Sequence, residues 1–292
     1  MTLDILGIFG KKDDKELEPQ YYTSRTNIRT LNYKVYYMSK IEKILYFLAA
    51  FIIGGYCGYL FYGGLFQNEF HEPTVLTYVC NTIISAFVGT LTGLVFLPIR
   101  VQQIINKRQR MLKRQFRDML ESLSTSLGAG KNVNDSFEAV AQDMLLQYDP
   151  DEFINNELKV IISGIRNNQD IEALLYDFGR RSGVKDIVMF ASIFRISYRK
   201  GGNIKEIIMN TNTIMKDKFE IAEEIETVIT STKSELYVMM IMPVAMVAMF
   251  KGMSPEFGAN FSTAAGVIAT TVSLVLYGIA FKVGRVIMEI KI

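Results

Sequence analysis

Residues 44–66 read ILYFLAAFIIGGYCGYLFYGGLF, with no Asp, Glu, Lys, Arg or His among them. A run of that length crosses the hydrocarbon core of a bilayer, which takes roughly 20 residues. Three more apolar runs follow, at 75–99, 236–250 and 263–281. The third is shorter and carries Pro243 at its middle, so it is read as a kinked span whose neighbours satisfy the freed carbonyl. With 49% hydrophobic and 21% charged residues, the 292-residue chain divides into spans and a water-facing part. Gly54 with Gly58, and Ser85 with Gly89 and Gly93, fall at four-residue steps that predict close packing of the first span on the second. Cys57 and Cys80 lie inside the apolar runs and read as small hydrophobes.

The basic residues orient the spans. Arg25, Arg29, Lys34, Lys40 and Lys43 precede the first, while the loop 67–74, QNEFHEPT, has two acids and neither Lys nor Arg. After the second, residues 100–117 hold seven Lys and Arg and not one acid. Lys282, Arg285 and Lys291 follow the fourth. By the positive-inside rule, both termini (1–43 and 282–292) and residues 100–235 are expected in the cytoplasm of a multi-pass cell-membrane protein. Residues 67–74 and 251–262 are then the short outer loops. The seven-charge stretch suits anionic lipid head groups just below the membrane. MTLDILGIFG lacks the basic start and cleavage site of a secretory signal and reads as a short amphipathic piece lying on the membrane or on another helix.

Residues 100–235 carry helical periodicity throughout. The expected architecture is an all-α membrane protein: four spans, with a cytoplasmic six-helix bundle of αα-hairpins inserted between the second and third. Its first helix continues from the second span and ends at GAG, 128–130. A second covers about 133–147. Asp149, Pro150 and Glu152 are read as a cap, a first-turn proline and a capping-box acid for the third, which ends near RNNQD at 166–170. A fourth holds IEALLYDFGRR and a fifth VKDIVMFASIFRISYR. The sixth starts at Ile204 and keeps a near-heptad spacing that leads without a break into the third span.

Two corners of this bundle resemble each other. GKNVNDSFEAV at 130–140 aligns with GGNIKEIIMNT at 201–211, and NNQDIEALLYD at 167–177 is a weaker echo. Gly130, and one of Gly201 and Gly202, are expected in the left-handed conformation that ends a helix. Asn132 and Asn203 then cap the next helix, with an acid three residues on. RKGGN at 199–203 also invites a phosphate-loop reading, but it has no GxxxxGK[ST] pattern and no preceding strand.

Catalytic, metal and cofactor readings find no residues to stand on. One histidine, His71 in a short loop, cannot build a Ser/His/Asp, Cys/His or HExxH set. Residues 118–235 hold 20 acids against 13 bases, a poor surface for nucleic acid. Spans one and two lack the charged residues an ion path usually shows. A transporter or channel subunit, or a membrane-anchored sensor or enzyme, therefore ranks below a structural role.

The order of features resembles a known family. FRDMLESLSTSLGAGKNVNDSFEAV, the Arg199-x-Gly201-Gly202-Asn203 corner and Pro243 in the third span look like the type II secretion system F domain proteins. The likeness covers about 100–292, leaves 1–43 outside, and is greatest to the B-type platform protein of tight-adherence (Tad/Flp) pilus systems, with the C-type paralogue as the alternative. What it implies is a non-enzymatic inner-membrane platform that couples a cytoplasmic assembly ATPase to pilin extraction. Its partners would be that ATPase, a paralogous platform protein and the pilin, in a homo- or hetero-oligomer. The acidic face of Glu220, Glu223, Glu224 and Glu226 is the expected docking surface for the ATPase.

Overall fold

The computed structural model describes residues 18–24, 27–66 and 73–288. The decapeptide 1–10, the loop residues Glu69 and His71, and Lys291 lie outside them. Two short strands come first: β1 (Tyr21–Thr23) and β2 (Arg29–Leu31), antiparallel, with Tyr22 opposite Thr30. Helices follow: α1 (Lys40–Tyr62), α2 (Val75–Gly128), α3 (Val133–Gln147), α4 (Phe153–Arg166), α5 (Ile171–Ser182), α6 (Lys185–Arg199), α7 (Ile204–Met253), α8 (Pro255–Asn260) and α9 (Ala264–Met288). The chain forms two compact units. One holds the described residues up to Tyr37 together with Ile104–Met215; the other holds Met38–Gln103 and Lys216 onward. The first division, Tyr37 to Met38, falls just before α1, and the other two fall inside helices, α2 and α7.

In the first unit, α3 to α6 form successive αα-hairpins, each helix packed on the next. The second half of α2 supplies the centre: Leu112, Phe116, Met119, Leu120 and Leu123 are fully covered. Phe116 meets Phe178 of α5 and Phe190 of α6 with ring centroids 6.1 and 5.4 Å apart. Burying each such ring contributes about 2–3 kcal/mol. Among the described residues of α7, Ile208 and Met215 join this core, whereas Ile214 remains half exposed. The near-heptad pattern thus runs on past the residues that cover it.

The start of α4 corrects the sequence reading. Asp149 and Pro150 belong to a turn closed by the Glu152 N–H on the Asp149 carbonyl, 3.0 Å, and the helix opens at Phe153 with no side-chain cap of its own. Gln115 of α2 caps it instead: its Oε1 accepts from the Ile154 N–H at 3.1 Å, and its Nε2 donates to the Glu152 carboxylate at 2.8 Å. A tertiary contact took the place of the local box. The all-α expectation also missed the β1–β2 hairpin.

In the second unit, four stretches among the described residues are long and apolar enough to cross a membrane: Lys40–Tyr62, a part of Val75–Gly128, Ser234–Met253 and Ala264–Gly284. α1 begins four residues before the apolar run because Ser39 and Glu42 form a reciprocal capping box. α2 continues through Pro98. The small residues do bring α1 against α2: a Cβ on Gly89 would stand 2.7 Å from the Phe51 carbonyl oxygen, and one on Gly54 would meet the Thr92 hydroxyl at 2.5 Å. Nothing larger than glycine fits there. α8 is a short helix inside the segment read as an outer loop.

Candidate interaction sites and a buried ionic cluster

The corner at 201–203 ends α6 and begins α7. Gly201 has φ 68°, and the Gly202 N–H reaches back to the Ser197 carbonyl at 2.8 Å while that of Gly201 reaches Tyr198 at 3.5 Å. This is the Schellman pair, which satisfies two of the carbonyls a helix leaves open. Asn203 Oδ1 then accepts from the Glu206 N–H at 3.3 Å. The corner at 130–132 repeats the design. Gly130 has φ 89°, Lys131 and Gly130 donate to Ser126 and Leu127, and Asn132 accepts from the Asp135 N–H at 2.8 Å. Between them, Asn168 has φ 54°, and Gln169 and Asn168 donate to Gly164 and Ile165 at 2.9 and 3.0 Å. The weaker echo carries the same backbone, with asparagine where the others have glycine.

Open space surrounds a Cβ placed at Gly130 or Gly201, so these corners shape the chain without cradling a neighbour. Arg199 is engaged: its Nε lies 3.3 Å from Oε1 of Glu172, a largely buried carboxylate. A fourth corner, unread in the sequence, has Gly183 at φ 66°. A Cβ there would press on Gln109 Nε2 at 2.5 Å and Lys34 Cγ at 2.9 Å, so α2 and the N-terminal strand segment close over it.

That segment leads to the main feature absent from the sequence reading. Arg181, 3% exposed, makes a bidentate pair with Glu157, 2% exposed, at 2.8 and 2.7 Å. Its Nε donates to Asp177 at 2.7 Å, and its other edge to the Leu31 carbonyl at 3.1 Å. Tyr33, 1% exposed, donates its hydroxyl to Glu157 at 3.0 Å, and its N–H reaches the Arg181 carbonyl. Arg108 lies over the Tyr36 ring, 4.4 Å from its centroid. Residues 29–37 are therefore strapped onto α2, α4 and α5 through a desolvated ion pair. Burial, the charge of Glu157 and its hydrogen bond all raise the Tyr33 hydroxyl well above the usual tyrosine range. For Arg181 burial pulls the other way, but the bonds and charges of Glu157 and Asp177 outweigh it and hold the guanidinium ionised. The signal was present in part: Glu157 sits inside the apolar stripe Ile154, Leu158, Ile161, and Arg181 beside Phe178.

In the second unit, α7 passes through Pro243. Tyr277 of α9 donates its hydroxyl to the Met240 carbonyl, one turn before the proline. Lys251 donates to the Leu60 carbonyl at 2.7 Å and the Gly63 carbonyl at 3.4 Å, which places a cation on the negative end of α1. On the acidic face, Glu220 and Glu224 are exposed on α7, one turn apart; the side chains of Glu223 and Glu226 lie outside the described residues. Of the basic stretch, Arg100 stacks on Tyr46, Lys113 pairs with Asp186 at 3.0 Å and Arg117 with Asp118 at 2.7 Å.

Residues 119–251 match the family model for the Type II secretion system (T2SS), protein F. The match starts in α2 and ends in α7, so it takes in the α3–α6 hairpins and the third candidate span. It leaves out the strap, α1 and α9, and covers somewhat less than half the chain. No curated protein and no solved structure matches the chain.

Proposed function

We propose that this chain is a non-enzymatic inner-membrane platform protein of a type IV (Tad/Flp) pilus or type II secretion-like machine, of the B type. It couples a cytoplasmic assembly ATPase to the extraction and assembly of pilin, beside a paralogous platform subunit. One observation carries the reading: inside the segment similar to the secretion protein F family, a single helix, α7, holds both residues of the helical core (Ile208, Met215) and the candidate span Ser234–Met253. A torque on the domain is then a torque on a membrane helix. Both termini and the domain face the cytoplasm, as the Lys and Arg bias argues. The acidic face of Glu220, Glu223, Glu224 and Glu226 receives a basic surface of the ATPase.

Two measurements test this. A cysteine at Glu69 should be labelled by an impermeant thiol reagent in intact cells and one at Lys131 only after permeabilisation; labelling of both without it removes the cytoplasmic assignment. Reversing the four glutamates to lysine should weaken co-purification of the ATPase and abolish its salt dependence while the protein stays in the membrane. Unchanged capture at every salt concentration would take this face out of the interface.

A further inference from the structure

α6 is apolar on two opposite sides. One side, Ile187, Phe190, Ala191 and Phe194, is buried in the core of the first unit. The other holds Val188, Met189, Ile193 and Ile196, which are 38 to 54% exposed and share an arc of about 140° on the helix. A surface helix ordinarily turns a polar face outward; here the outward face is apolar, which marks a contact surface. The strap points to what covers it. The Tyr33 N–H bonds the Arg181 carbonyl at 3.1 Å, and Lys34 closes over Gly183, the residue before the Val184 cap of α6. Glu18, where the described chain begins, is held to that same stretch: its carboxylate accepts from Asn32 Nδ2 and its carbonyl from the Tyr37 hydroxyl, both at 3.1 Å. The residues before Glu18 therefore set out from beside the N-terminal end of α6.

We infer that residues 1–10, MTLDILGIFG, dock as a short helix on this face of α6 in the same chain, covering Val188, Met189, Ile193 and Ile196. The spacing supplies the matching stripe: Met1, Ile5, Ile8 and Phe9 fall at i, i+4, i+7 and i+8. The length allows it. The seven residues 11–17 between that stripe and Glu18 reach at most about 23–25 Å when extended, and α6, with 15 residues, is about 22 Å long. Ten helical residues cover about 15 Å, enough for the stretch of about 12 Å from Val188 to Ile196. A tether this short holds the stripe at an effective concentration in the millimolar range, so a contact of a few apolar side chains suffices. The contact joins the part of the chain that the family model matches, residues 119–251, to a part that it does not.

The test uses the full chain in membranes, carrying Cys57→Ala, Cys80→Ala and a protease site in the loop 67–74. Ile8→Cys with Ile193→Cys should join through a short bis-maleimide into a product of monomer mass whose two halves stay together after cleavage. Ile5→Asp with Phe9→Asp should abolish that product. The same two aspartates should raise the rate at which a soluble maleimide labels a lone Ile196→Cys about tenfold, the change expected if the segment covers the face roughly nine-tenths of the time. Docking is overturned if both cysteines react with a monofunctional maleimide yet no joined product forms, or if the product has dimer mass, which seats the segment on another copy. It is equally overturned if the Ile196→Cys rate ignores the aspartates. Quenching of a bimane on Ile8→Cys by brominated lipid would also overturn it, by putting the segment in the membrane. None of these outcomes touches the platform reading, which rests on α7.

Discussion

At the scale of single residues, backbone conformation separates two neighbours that the sequence treats alike. Gly201 is the left-handed position, so Gly201→Val is strained by about 1–3 kcal/mol. Gly202 is free of that demand, although its Cβ would come within 3.3 Å of Ser197, and its valine variant should melt closer to wild type. Asn203→Ala should cost about 1 kcal/mol through the lost cap. Melting curves of the purified full-length protein rank the three; equal losses at 201 and 202 would contradict the assigned corner. Arg199 does more than favour a helix end, because its loss removes the ion pair to the largely buried Glu172 carboxylate; Arg199→Ala should therefore melt below Lys200→Ala. The tyrosines make a pH prediction. Burial and the hydrogen bond to Asp118 push Tyr148 up to about 12, and Tyr33 is raised as well. Unfolded tyrosine ionises near pH 10, so above that pH the unfolded chain binds fewer protons than the folded one and stability falls. Both contributions are complete below about pH 10; that of Tyr148 is lost between there and about 12, and that of Tyr33 falls away as the pH rises above 10. The melting temperature of the Tyr33→Phe, Tyr148→Phe double variant should decline less steeply across that window; an identical slope would remove both hydroxyls from the account.

At the scale of elements, helices were legible because the apolar periodicity that predicts them is also what packs them: Phe116, Met119, Leu120 and Leu123 lie on the stripe the spacing marks, and all are covered. Corners were legible because glycine and asparagine carry a backbone preference of their own. The start of α4 was not, since its cap comes from Gln115, 39 residues away from Ile154. The strap was harder still. Its strands have three residues each, and although Glu157 interrupts an apolar stripe, nothing in the spacing joins it to Arg181, 24 residues on. Breaking that pair should be costly, about 3–5 kcal/mol for Glu157→Gln or Arg181→Met alone, because the survivor is left buried and uncompensated. The two changes together should cost less than their sum, and a double-mutant cycle by thermal melting checks it. In α7, Tyr277→Phe should cost on the order of 0.6–1.7 kcal/mol, the range for hydrogen bonds between membrane helices. In a Pro243→Ala background, where the backbone N–H missing at the proline is restored, the penalty should shrink.

At the scale of the whole molecule, the domain that resembles a known family is not the domain that folds. Residues 119–251 match the family model, but the compact unit ends its α7 contribution at Met215 and takes in the strap. A fragment starting at residue 100 would expose the Arg181–Glu157 pair to one open side, and it should fail to show a cooperative melt, whereas the full chain should show one. The strap also fixes a matter of timing. Tyr33 leaves the ribosome 124 residues before Glu157, and Leu31 leaves 150 before Arg181. At about 5–20 residues per second, that is a wait of roughly 6–30 s, during which both candidate spans of the stretch 38–103 are synthesised. Because the strap and its receptor touch, they end on one side of the bilayer, so the intervening stretch 38–103 must cross it an even number of times. A nascent chain whose first span slipped back, or whose second failed to insert, could never close this contact. The buried ion pair is therefore closed to any chain in which just one of the two candidate spans has crossed, and open again to one in which both or neither has.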